Sequence, residues 1–426
     1  MSRLSKLIAE LCPNGVEYKK LGEIGGFYSG LSGKTKNDFK DGNAKFITYM
    51  NVYSNPSLKI DVDDKVKITE GERQNVIEYG DVLFTGSSET PDECGMAAVL
   101  TQEAKEPLYL NSFCFGYRLF DKKLFLPDFL KHLFRSSELR KQIRRTANGV
   151  TRFNVSKVKM LEVQIPLPPL AIQSEIVKIL DNFAELTAEL TAELEKRKKQ
   201  YEHYRDMLLN FTGGGRYDNI SQNEPCPSVE WKRLGEICEM KTGKLNANAQ
   251  SENGKYPFFT CSDVPLRIDE YAFDCEALLI AGNGNIGETK HYIGKFNAYQ
   301  RTYVLSSFAP NISVRYLYFY ITAFIKPYVK ARSKDGTLPY ITLPILSGFE
   351  IPLPPLAEQE RIVAILDRFD SLCNSLTEGL PAEIELRKKQ SEYYRDKLLS
   401  FGRASSSRNS REASNSSSSS LEPLEH

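Results

Sequence analysis

The sequence contains one arrangement of charged residues that is typical of metal-dependent nucleases. Pro91 and Asp92 are followed by Glu103 and Lys105, which gives the loose pattern PD…ExK. In such nucleases, carboxylates bind Mg²⁺ and a lysine assists the attacking water. Patterns this short arise often by chance, and the second half of the chain has no equivalent. A stand-alone Mg-dependent nuclease is therefore kept as an alternative function.

Two glycine-containing segments have the residue types of phosphate-binding loops without the required surroundings. GNGNIG, with Gly282, Gly284 and Gly287, fits G-x-G-x-x-G and follows the strand-like ALLIA. The next segment does not resemble a helix, and no acidic residue stands about 20 positions later, so a tight turn between strands is favoured. The GKT at Gly33–Thr35 has Tyr28 where a phosphate loop requires its first glycine.

Basic residues cluster at corresponding positions in the two halves of the chain. LRKQIRRTANGVTRFNVSKVKM, from Leu139 to Met160, contains seven Lys or Arg residues and no acid, and its counterpart is IKPYVKARSKDGTLPYI. Lys and Arg neutralise phosphates, while Asn, Gln and Arg read base edges. Because one such cluster alone is often a solvated helix face, the matching pair is what favours DNA binding.

Other polar residues of the variable segments could reach bases from loops. The candidate DNA contacts are Lys34, Lys36, Arg144, Arg145, Arg152 and Asn154 in the first half, and Lys241, Lys244, Asn283, Asn285, Gln300, Arg301, Lys330, Arg332 and Lys334 in the second.

The composition is that of a soluble globular protein with more than one domain. At 426 residues, with 41% hydrophobic and 26% charged residues, we expect two or three domains. No apolar run approaches the ~18 residues of a membrane span, so a cytoplasmic location is expected. The eight cysteines form no C-x-x-C pair, which favours free thiols over disulfides or metal. Four histidines offer little material for acid–base catalysis.

The sequence contains an internal duplication, because three segments occur in the same order in each half. IPLPPLAIQSEIVKILDNF from Ile165 returns as IPLPPLAEQERIVAILDRF from Ile351, and RKKQYEHYRDMLLNF from Arg197 returns as RKKQSEYYRDKLLSF from Arg387. The entry CPNGVEYKKLGEI also resembles the later CPSVEWKRLGEI. Such a long period indicates two pseudosymmetric domains and not a stacked repeat array.

Each copy of the IPLPPLA segment, which we call the proline word, is followed by a long amphipathic helix. Apolar residues at spacings of three or four predict a first helix from about Ala171 to Phe211, roughly 60 Å long. In the second copy, Pro381 after Gly379 should break the helix and start a new segment. The apolar stripes are predicted to pair antiparallel, or alternatively each helix packs only on its own domain. The residues singled out on the stripes are Phe183, Leu186, Leu190, Leu194, Tyr201, Tyr204, Phe369, Leu372, Leu376, Tyr394 and Leu398.

These features predict two globular domains and two long helices that pair antiparallel. The expected boundaries are 1–168 for the first domain, 169–211 for the first helix, 212–225 for a linker, 226–354 for the second domain, 355–401 for the second helix and 402–426 for a tail. The tail is Ser-rich and ends in LEPLEH, so we expect it to be disordered and foreign to the function.

The first helix repeats the word TAEL at its centre, in FAELTAELTAEL. Four residues are close to one turn of about 3.6, so one added word lengthens the helix by about 6 Å and nearly keeps its face. DNA rises about 3.4 Å per base pair. The repeat is therefore interpreted as a spacer adjustable by one to two base pairs, with replication slippage of good helix formers as the alternative.

This organisation resembles the specificity subunit of a Type I restriction-modification system. The resemblance extends from about Cys12 to Phe401 and depends on IPLPPLAxQxxIVxILDxF, RKKQxExYRDxLL and the TAEL words. It implies two target recognition domains of mixed α/β (α+β) fold, each reading one half of a bipartite, asymmetric site in double-stranded DNA, with the two long helices between them forming an antiparallel coiled coil. It also implies that the coiled coil sets the gap between the half-sites.

The resemblance further implies partner subunits that carry the chemistry. Two methyltransferase subunits with S-adenosylmethionine would methylate adenine, and restriction and motor subunits would supply ATP- and Mg-dependent cleavage. This chain would be a non-catalytic recognition subunit without a cofactor of its own. Consistently, the TLPY at Thr337–Tyr340 is not an Asn-Pro-Pro-Tyr or Asp-Pro-Pro-Tyr methylation motif. A coiled-coil adaptor without a DNA role is a further alternative.

Overall fold

The computed structural model describes residues 3–211, 229–332, 340–375 and 377–404. Contacts divide the chain into two units. The first unit comprises residues up to Ala188 together with residues from Glu385 onwards, and the second comprises Glu189–Ile384. Each unit therefore contains one variable domain and parts of both long helices.

The first unit contains two three-stranded sheets and a two-stranded ribbon in addition to a four-stranded sheet. The sheet orders are β2-β9-β5-β7, β4-β3-β8 and β10-β11-β6, and the ribbon is β1-β12. The strands are β1 Glu17–Lys20, β2 Gly25–Ser29, β3 Ala44–Ile47, β4 Lys65–Val66, β5 Val82–Thr85, β6 Ser87–Ser88, β7 Ala97–Val99, β8 Leu108–Leu110, β9 Cys114–Leu119, β10 Ala147–Asn148, β11 Phe153–Val155 and β12 Gln164–Leu167. The short helices are α1 Arg3–Leu11, α2 Leu21–Ile24, α3 Tyr49–Ser54, α4 Pro127–Leu133, α5 Ser137–Arg144 and α6 Lys157–Met160.

The central strand β5 is buried on both faces. Val82 and Phe84 belong to one apolar cluster, while Leu83 belongs to another. Alternate residues of a strand point to opposite faces, so a continuous apolar run is what a doubly covered strand requires. This rigid strand ends where β6 begins, next to the site described below.

The second unit has a six-stranded sheet of order β14-β19-β17-β18-β15-β16 and a ribbon β13-β20. Its strands are β13 Glu230–Arg233, β14 Glu239–Thr242, β15 Tyr256–Phe259, β16 Leu266–Ile268, β17 Phe273–Ala281, β18 Thr289–Ala298, β19 Thr302–Ser306 and β20 Glu350–Leu353. Apart from the long helices described below, its helices are α8 Leu234–Ile237, α9 Val314–Arg332 and α10 Leu343–Ser347. The predicted GNGNIG turn is confirmed, because it joins the antiparallel strands β17 and β18.

The repeated sequence words build the same frame in both units. The entry strand pairs antiparallel with the proline-word strand, with Lys19 opposite Ile165 in the first unit and Lys232 opposite Ile351 in the second. Trp231, the single tryptophan of the chain, lies opposite Pro352 in the second ribbon.

A buried glutamine of the proline word secures this frame. Gln173 accepts a hydrogen bond from the Leu126 amide (2.9 Å) and donates to the carbonyl oxygens of Leu124 (3.0 Å) and Pro168 (2.8 Å). Gln359 does the same in the second unit, with the Ser313 amide (2.9 Å) and the carbonyls of Asn311 (3.2 Å) and Pro354 (2.8 Å). Both side chains are buried, which explains why the motif contains a fixed polar residue.

The long helices are α7 Leu170–Leu209, α11 Leu356–Asn374 and α12 Gly379–Leu398. The predicted break is confirmed: Gly379 has φ +81° and Pro381 lies in the first turn of α12. A Cβ on Gly379 would lie 2.5 Å from the Ser371 carbonyl oxygen, so only glycine fits there. Leu376, the predicted 212–225 linker and the predicted tail beyond Ala404 lie outside the described residues.

The predicted helix pairing is visible within each unit. In the second unit, Leu194 of α7 clusters with Cys373 and Ile384, while the later Tyr204 stacks on the earlier Phe369 (ring centroids 5.5 Å apart), which is an antiparallel order. In the first unit, Phe183 stacks on Tyr394 at 5.2 Å. The partly buried residues that complete these contacts are Leu190, Tyr201, Leu372 and Leu398. Leu186 differs, since it is 45% exposed.

The cysteines and the hydrophobicity of the helices were also addressed by the sequence. Of its cysteines, all seven in the described segments are free, as predicted. No helix among the described residues has the length and apolarity to cross a membrane.

Candidate nucleic-acid interface

The first unit has an open cleft at the end of strand β5. We call it the first cleft. Its volume is about 870 Å³, and it is lined by Tyr49, Met50, Tyr53, Ser87, Ser88, Glu89, Glu93, Phe113, Thr151 and Arg152. These residues come from α3, from the segment after β5, from the start of β9 and from the turn before β11, so the fold assembles them from distant parts of the sequence.

Hydrogen bonds fix the floor of the first cleft. The Tyr49 hydroxyl donates to the Ser87 carbonyl (2.8 Å), and the Tyr53 hydroxyl donates to a Glu93 carboxylate oxygen (2.8 Å). The Ser88 hydroxyl donates to the other carboxylate oxygen of Glu93 (3.1 Å). The rings of Tyr49 and Tyr53 stack at 6.2 Å, one turn apart on α3. A carboxylate held by neutral hydroxyls within an aromatic wall is thus in place before any ligand arrives.

The ionisation of Glu93 follows from these bonds. Hydrogen bonds from Tyr53, Thr90 and Ser88 to the charged form hold the pKa of the Glu93 carboxyl below its ordinary value. Its carboxylate therefore stays charged at neutral pH and acts as a hydrogen-bond acceptor only.

The second unit has a cleft at the end of strand β17. We call it the second cleft. Its volume is about 500 Å³, and it is lined by Gly282, Asn283, Gln300, Arg301, Tyr303, Tyr340, Ile341, Thr342 and Leu343. The Tyr303 hydroxyl donates to the Ile341 carbonyl (2.9 Å), and the Gln300 amide donates to Asn246 Oδ1 (2.7 Å).

Equivalent backbone hydrogen bonds place the two clefts at the same point of the frame. In the first unit, the Gly86 amide donates to the Phe113 carbonyl (2.8 Å), and the Gly86 carbonyl accepts from Val155 (3.0 Å). In the second, the Gly282 amide donates to the Arg301 carbonyl (2.9 Å), and the Gly282 carbonyl accepts from Ile341 (2.9 Å).

At these equivalent positions, the two clefts carry side chains of different chemistry. Phe113 of the first cleft occupies the position of Arg301 in the second, and Ser87 occupies that of Asn283. One frame therefore carries two different sets of side chains at the same place. This is the arrangement expected of two domains that bind different versions of one class of ligand.

The structure brings together some of the predicted residues of the first half. Arg152 lines the first cleft and its Nε donates to Ser87 Oγ (3.3 Å). Asn154 is exposed on β11, where it pairs with Ser87 of β6. Lys36 is exposed, whereas Lys34 is committed to an internal ion pair with Glu72 and donates to the Lys67 carbonyl (2.6 Å).

Two predicted arginines lie at the end of α5. Arg145 is exposed, and Arg144 forms an ion pair with Asp92. Arg144 lines a separate concavity of the first unit together with Arg135, Ser137, Arg140, Lys141 and Arg395 among others. Arg140, a member of the basic cluster, has an internal role, since it donates to the carbonyls of Asp92 (2.9 Å) and Cys94 (2.8 Å).

In the second half, Asn283, Gln300 and Arg301 line the second cleft together. Lys244 and Lys330 are exposed, and the exposed Lys241 pairs with Glu239 (2.8 Å). The Asn285 amide donates to Asp263, and the Arg332 guanidinium lies 3.7 Å from the Tyr328 ring centroid. Lys334 lies outside the described residues.

The structure also offers little support for the nuclease pattern. Asp92 is paired with Arg144, and Glu103 and Lys105 are exposed in the loop before β8. In the described segments, no group of three or more His, Cys, Asp or Glu residues is placed to hold a metal ion.

Sequence reasoning missed the aromatic walls of both clefts. Tyr49, Tyr53, Phe113, Tyr303 and Tyr340 carry no local pattern that separates them from core aromatics. The available signal was composition, because Tyr49, Met50 and Tyr53 fall within one short polar–aromatic segment, TYMNVY.

Comparison with known proteins decides the family. A family model described as the Type I restriction modification DNA specificity domain matches residues 13–197 and again residues 228–386. The chain belongs to this family. The two matched segments each contain one of the two clefts, which fits recognition of a bipartite site.

Relatives in the family are named as specificity subunits. The chain is 39% identical over 280 residues to the Escherichia coli Type I restriction enzyme EcoR124I/EcoR124II specificity subunit, an alignment that covers 58% of this chain and 65% of that one. A type I specificity subunit of Mycoplasma pneumoniae is 37% identical over 245 residues, covering 55% of this chain and 92% of that one.

Solved structures share the fold. A Type I restriction-modification S subunit from M. genitalium aligns with a TM-score of 0.52 and 18% identity, over 90% of this chain and 96% of that one. A chain from a structure of the type I R-M system, described for its complex assembly and conformational transition, aligns with a TM-score of 0.63 and 20% identity, over 91% of this chain and 98% of that one.

These findings confirm the resemblance drawn from the sequence, the mixed α/β fold with two tandem domains, and the interpretation as a non-catalytic DNA specificity subunit. The predicted domain boundaries and the individual DNA contacts stay predictions.

Proposed function

We propose that this specificity subunit reads double-stranded DNA at a bipartite, asymmetric site, with the first cleft on one half-site and the second cleft on the other. The observation that carries the proposal is the pair of clefts on equivalent hydrogen-bonded frames with unlike side chains. Arg152, Asn283, Gln300 and Arg301 supply the donors and acceptors that read base edges in a major groove.

The long helices set the spacing in this proposal and dock the partners. The chain assembles with two methyltransferase subunits, which carry S-adenosylmethionine and methylate adenine, and with restriction subunits that use ATP and Mg²⁺. The proposed task places the complex in the cytoplasm with the DNA. The length of α7, 40 residues, supports a spacer role, because a helix rises about 1.5 Å per residue.

The first test uses the chain with its methyltransferase partner. Sequencing methylated adenines in the source genome, with and without the gene, gives both half-sites and their spacing. A duplex with that site should bind far better than a duplex whose central spacer is changed by two base pairs. Equal binding to both duplexes would refute recognition of a bipartite site.

A second test addresses the clefts. We expect Arg152→Ala and Arg301→Ala each to weaken binding about ten-fold, the scale of one lost base contact. Lys123→Ala is the matched control, since it removes the same charge from an exposed turn that lines neither cleft. Loss of binding in the control alone, or in none of the three variants, would contradict the proposal.

A further inference from the structure

Glu93 is an unusual group for a DNA-facing cleft. Its carboxylate is half-buried in the first cleft and receives hydrogen bonds from Tyr53 (2.8 Å) and Ser88 (3.1 Å). Phosphates repel a carboxylate, so a negative side chain that faces DNA must approach a base edge and not the backbone. Its presence in the cleft therefore favours a ligand group that donates a hydrogen bond.

Within the described chain, Glu93 forms no ion pair. Other acids of the first unit differ, since Asp92 pairs with Arg144 and Glu72 pairs with Lys34. A carboxylate accepts about four hydrogen bonds. The hydroxyls of Tyr53, Thr90 and Ser88 orient it and leave about one acceptor position unused. The group is thus pre-organised, charged and incompletely satisfied, which distinguishes it from a structural carboxylate.

The apolar residues around Glu93 favour a base over solvent. Met50 is 59% exposed and Phe113 is 61% exposed, so both present large apolar surfaces at the cleft. Contact of these surfaces with base edges would exclude water from the carboxylate. Hydrogen bonds are more selective in such a place, because an unpaired buried donor or acceptor costs free energy.

We propose that Glu93 is a specificity-determining residue of the first cleft that accepts a hydrogen bond from the N4 amino group of a cytosine in the major groove. This inference rests on the proposed function. Cytosine presents only a donor there, whereas thymine presents O4 and a methyl group, and guanine presents the acceptors N7 and O6. Adenine presents its N6 donor beside the acceptor N7, which repels an acceptor-only carboxylate.

Tyr53 is the positioning residue in this arrangement. Its hydroxyl donates a hydrogen bond to Glu93, and its ring is held by the stack on Tyr49. Removal of the hydroxyl should leave the fold intact and let the carboxylate rotate.

The test reads the base preference directly. The full chain and its methyltransferase partner are produced in a host without adenine methylation, and methylated sites are sequenced. Arg152→Ala and Arg301→Ala first assign each half-site to its cleft by the half-site whose discrimination they reduce. The variants Glu93→Gln, Tyr53→Phe and Glu106→Gln are then compared with the unaltered chain.

The half-site of the first cleft is expected to contain a C·G pair whose replacement abolishes methylation. Glu93→Gln, which introduces a donor, should raise methylation of sites with a different pair at that position about ten-fold. Tyr53→Phe should do so more weakly, and the other half-site should not change. Glu106→Gln removes the same charge from the exposed loop before β8, which lines neither cleft, so its pattern should match that of the unaltered chain.

The inference is overturned if Glu93→Gln methylates efficiently with an unchanged preference, if that half-site has no C·G pair, or if Glu106→Gln shifts the preference instead. A failed proposed function looks different. In that case, Arg152→Ala and Arg301→Ala would leave both half-sites and the yield of methylation unaltered.

Discussion

At the scale of single residues, the repeated words encode connections and the variable segments encode contacts. Gln173 and Gln359 illustrate the first kind, since each joins a proline-word carbonyl to two backbone groups of its own unit. A side chain that bonds to three buried backbone groups in this way must have both a hydrogen-bond donor and an acceptor, as glutamine does. This explains a glutamine at both copies of the motif.

Gln359→Ala should destabilise the second unit by about 2–4 kcal/mol, because it leaves the Ser313 amide and two carbonyls without their partner. Trp231, the only tryptophan, lies in the neighbouring ribbon. Urea denaturation followed by its fluorescence should therefore show a lower midpoint. Gln102→Ala, an exposed substitution, is the control and should change stability by less than about 0.5 kcal/mol. Equal midpoints for the two variants would show that the glutamine is not structural.

The Lys34–Glu72 pair gives a prediction about pH. Hydrogen bonds from Lys34, the Thr69 amide and Gln74 lower the pKa of Glu72 to about 2. A depressed carboxyl pKa contributes stability that is present above the ordinary value and is lost as pH falls through the folded value. Glu72 should thus titrate near pH 2 by NMR, and Lys34→Met should move its pKa towards 4.5. An unchanged titration in Lys34→Met would mean that Lys34 is free to contact DNA.

Individual cleft residues mark the limit of sequence reasoning. Arg152 was predicted from a cluster of like charges, and Asn283, Gln300 and Arg301 from polar loops, and all four line a cleft. Glu93 and Phe113 were not predicted, because they meet only after β5 and β9 pair. Long-range strand pairing places them, and no periodicity within a short window records it.

At the scale of elements, the helices were the most predictable part. Spacing of three and four gave α7, and glycine with proline gave the break before α12. A long helix is easy to recognise in a sequence because its apolar stripe must be buried along its whole length, so the apolar spacing is regular throughout. The short strands of the variable domains follow no such single rule, and their order depends on the tertiary fold.

The centre of α7 should accept whole turns. Leu186, at the edge of the TAEL words, is 45% exposed, so a change beside it disturbs little packing. Insertion of one further Thr-Ala-Glu-Leu after Leu186 should add about 6 Å and move the methylated half-sites apart by one to two base pairs. Sequencing of methylated adenines measures the shift.

The control insertion is two residues, Thr-Ala, at the same place. It rotates the following helix by about 200°, since each residue turns about 100°. Leu190 and Leu194 would then leave their cluster with Cys373 and Ile384, and methylation should be lost. Methylation with an unaltered spacing after the four-residue insertion would contradict a spacer role for α7.

At the scale of the whole molecule, the first unit is built from both ends of the described chain. The Val16 amide donates to the Gly402 carbonyl (2.8 Å), and the Ala404 amide donates to the Val16 carbonyl (3.0 Å). The Tyr18 hydroxyl donates to the Phe401 carbonyl (2.9 Å), and Leu399 is buried in the apolar cluster of this unit. The end of α7 takes the matching part in the second unit, where Leu208 and Leu209 are buried.

A chain that ends at Leu398 should therefore destabilise the first variable domain, although the cut lies far from that domain in sequence. It loses the three hydrogen bonds of this closure and the burial of Leu399, whose removal alone costs about 3 kcal/mol. Hydrogen exchange of first-unit amides should accelerate, and discrimination at the half-site of the first cleft should fall while that of the second persists. A chain that ends at Ala404 retains every one of these contacts and should behave like the full chain. Equal loss of protection in both units, or none in either, would show that the two ends of the chain do not stabilise the first recognition domain specifically.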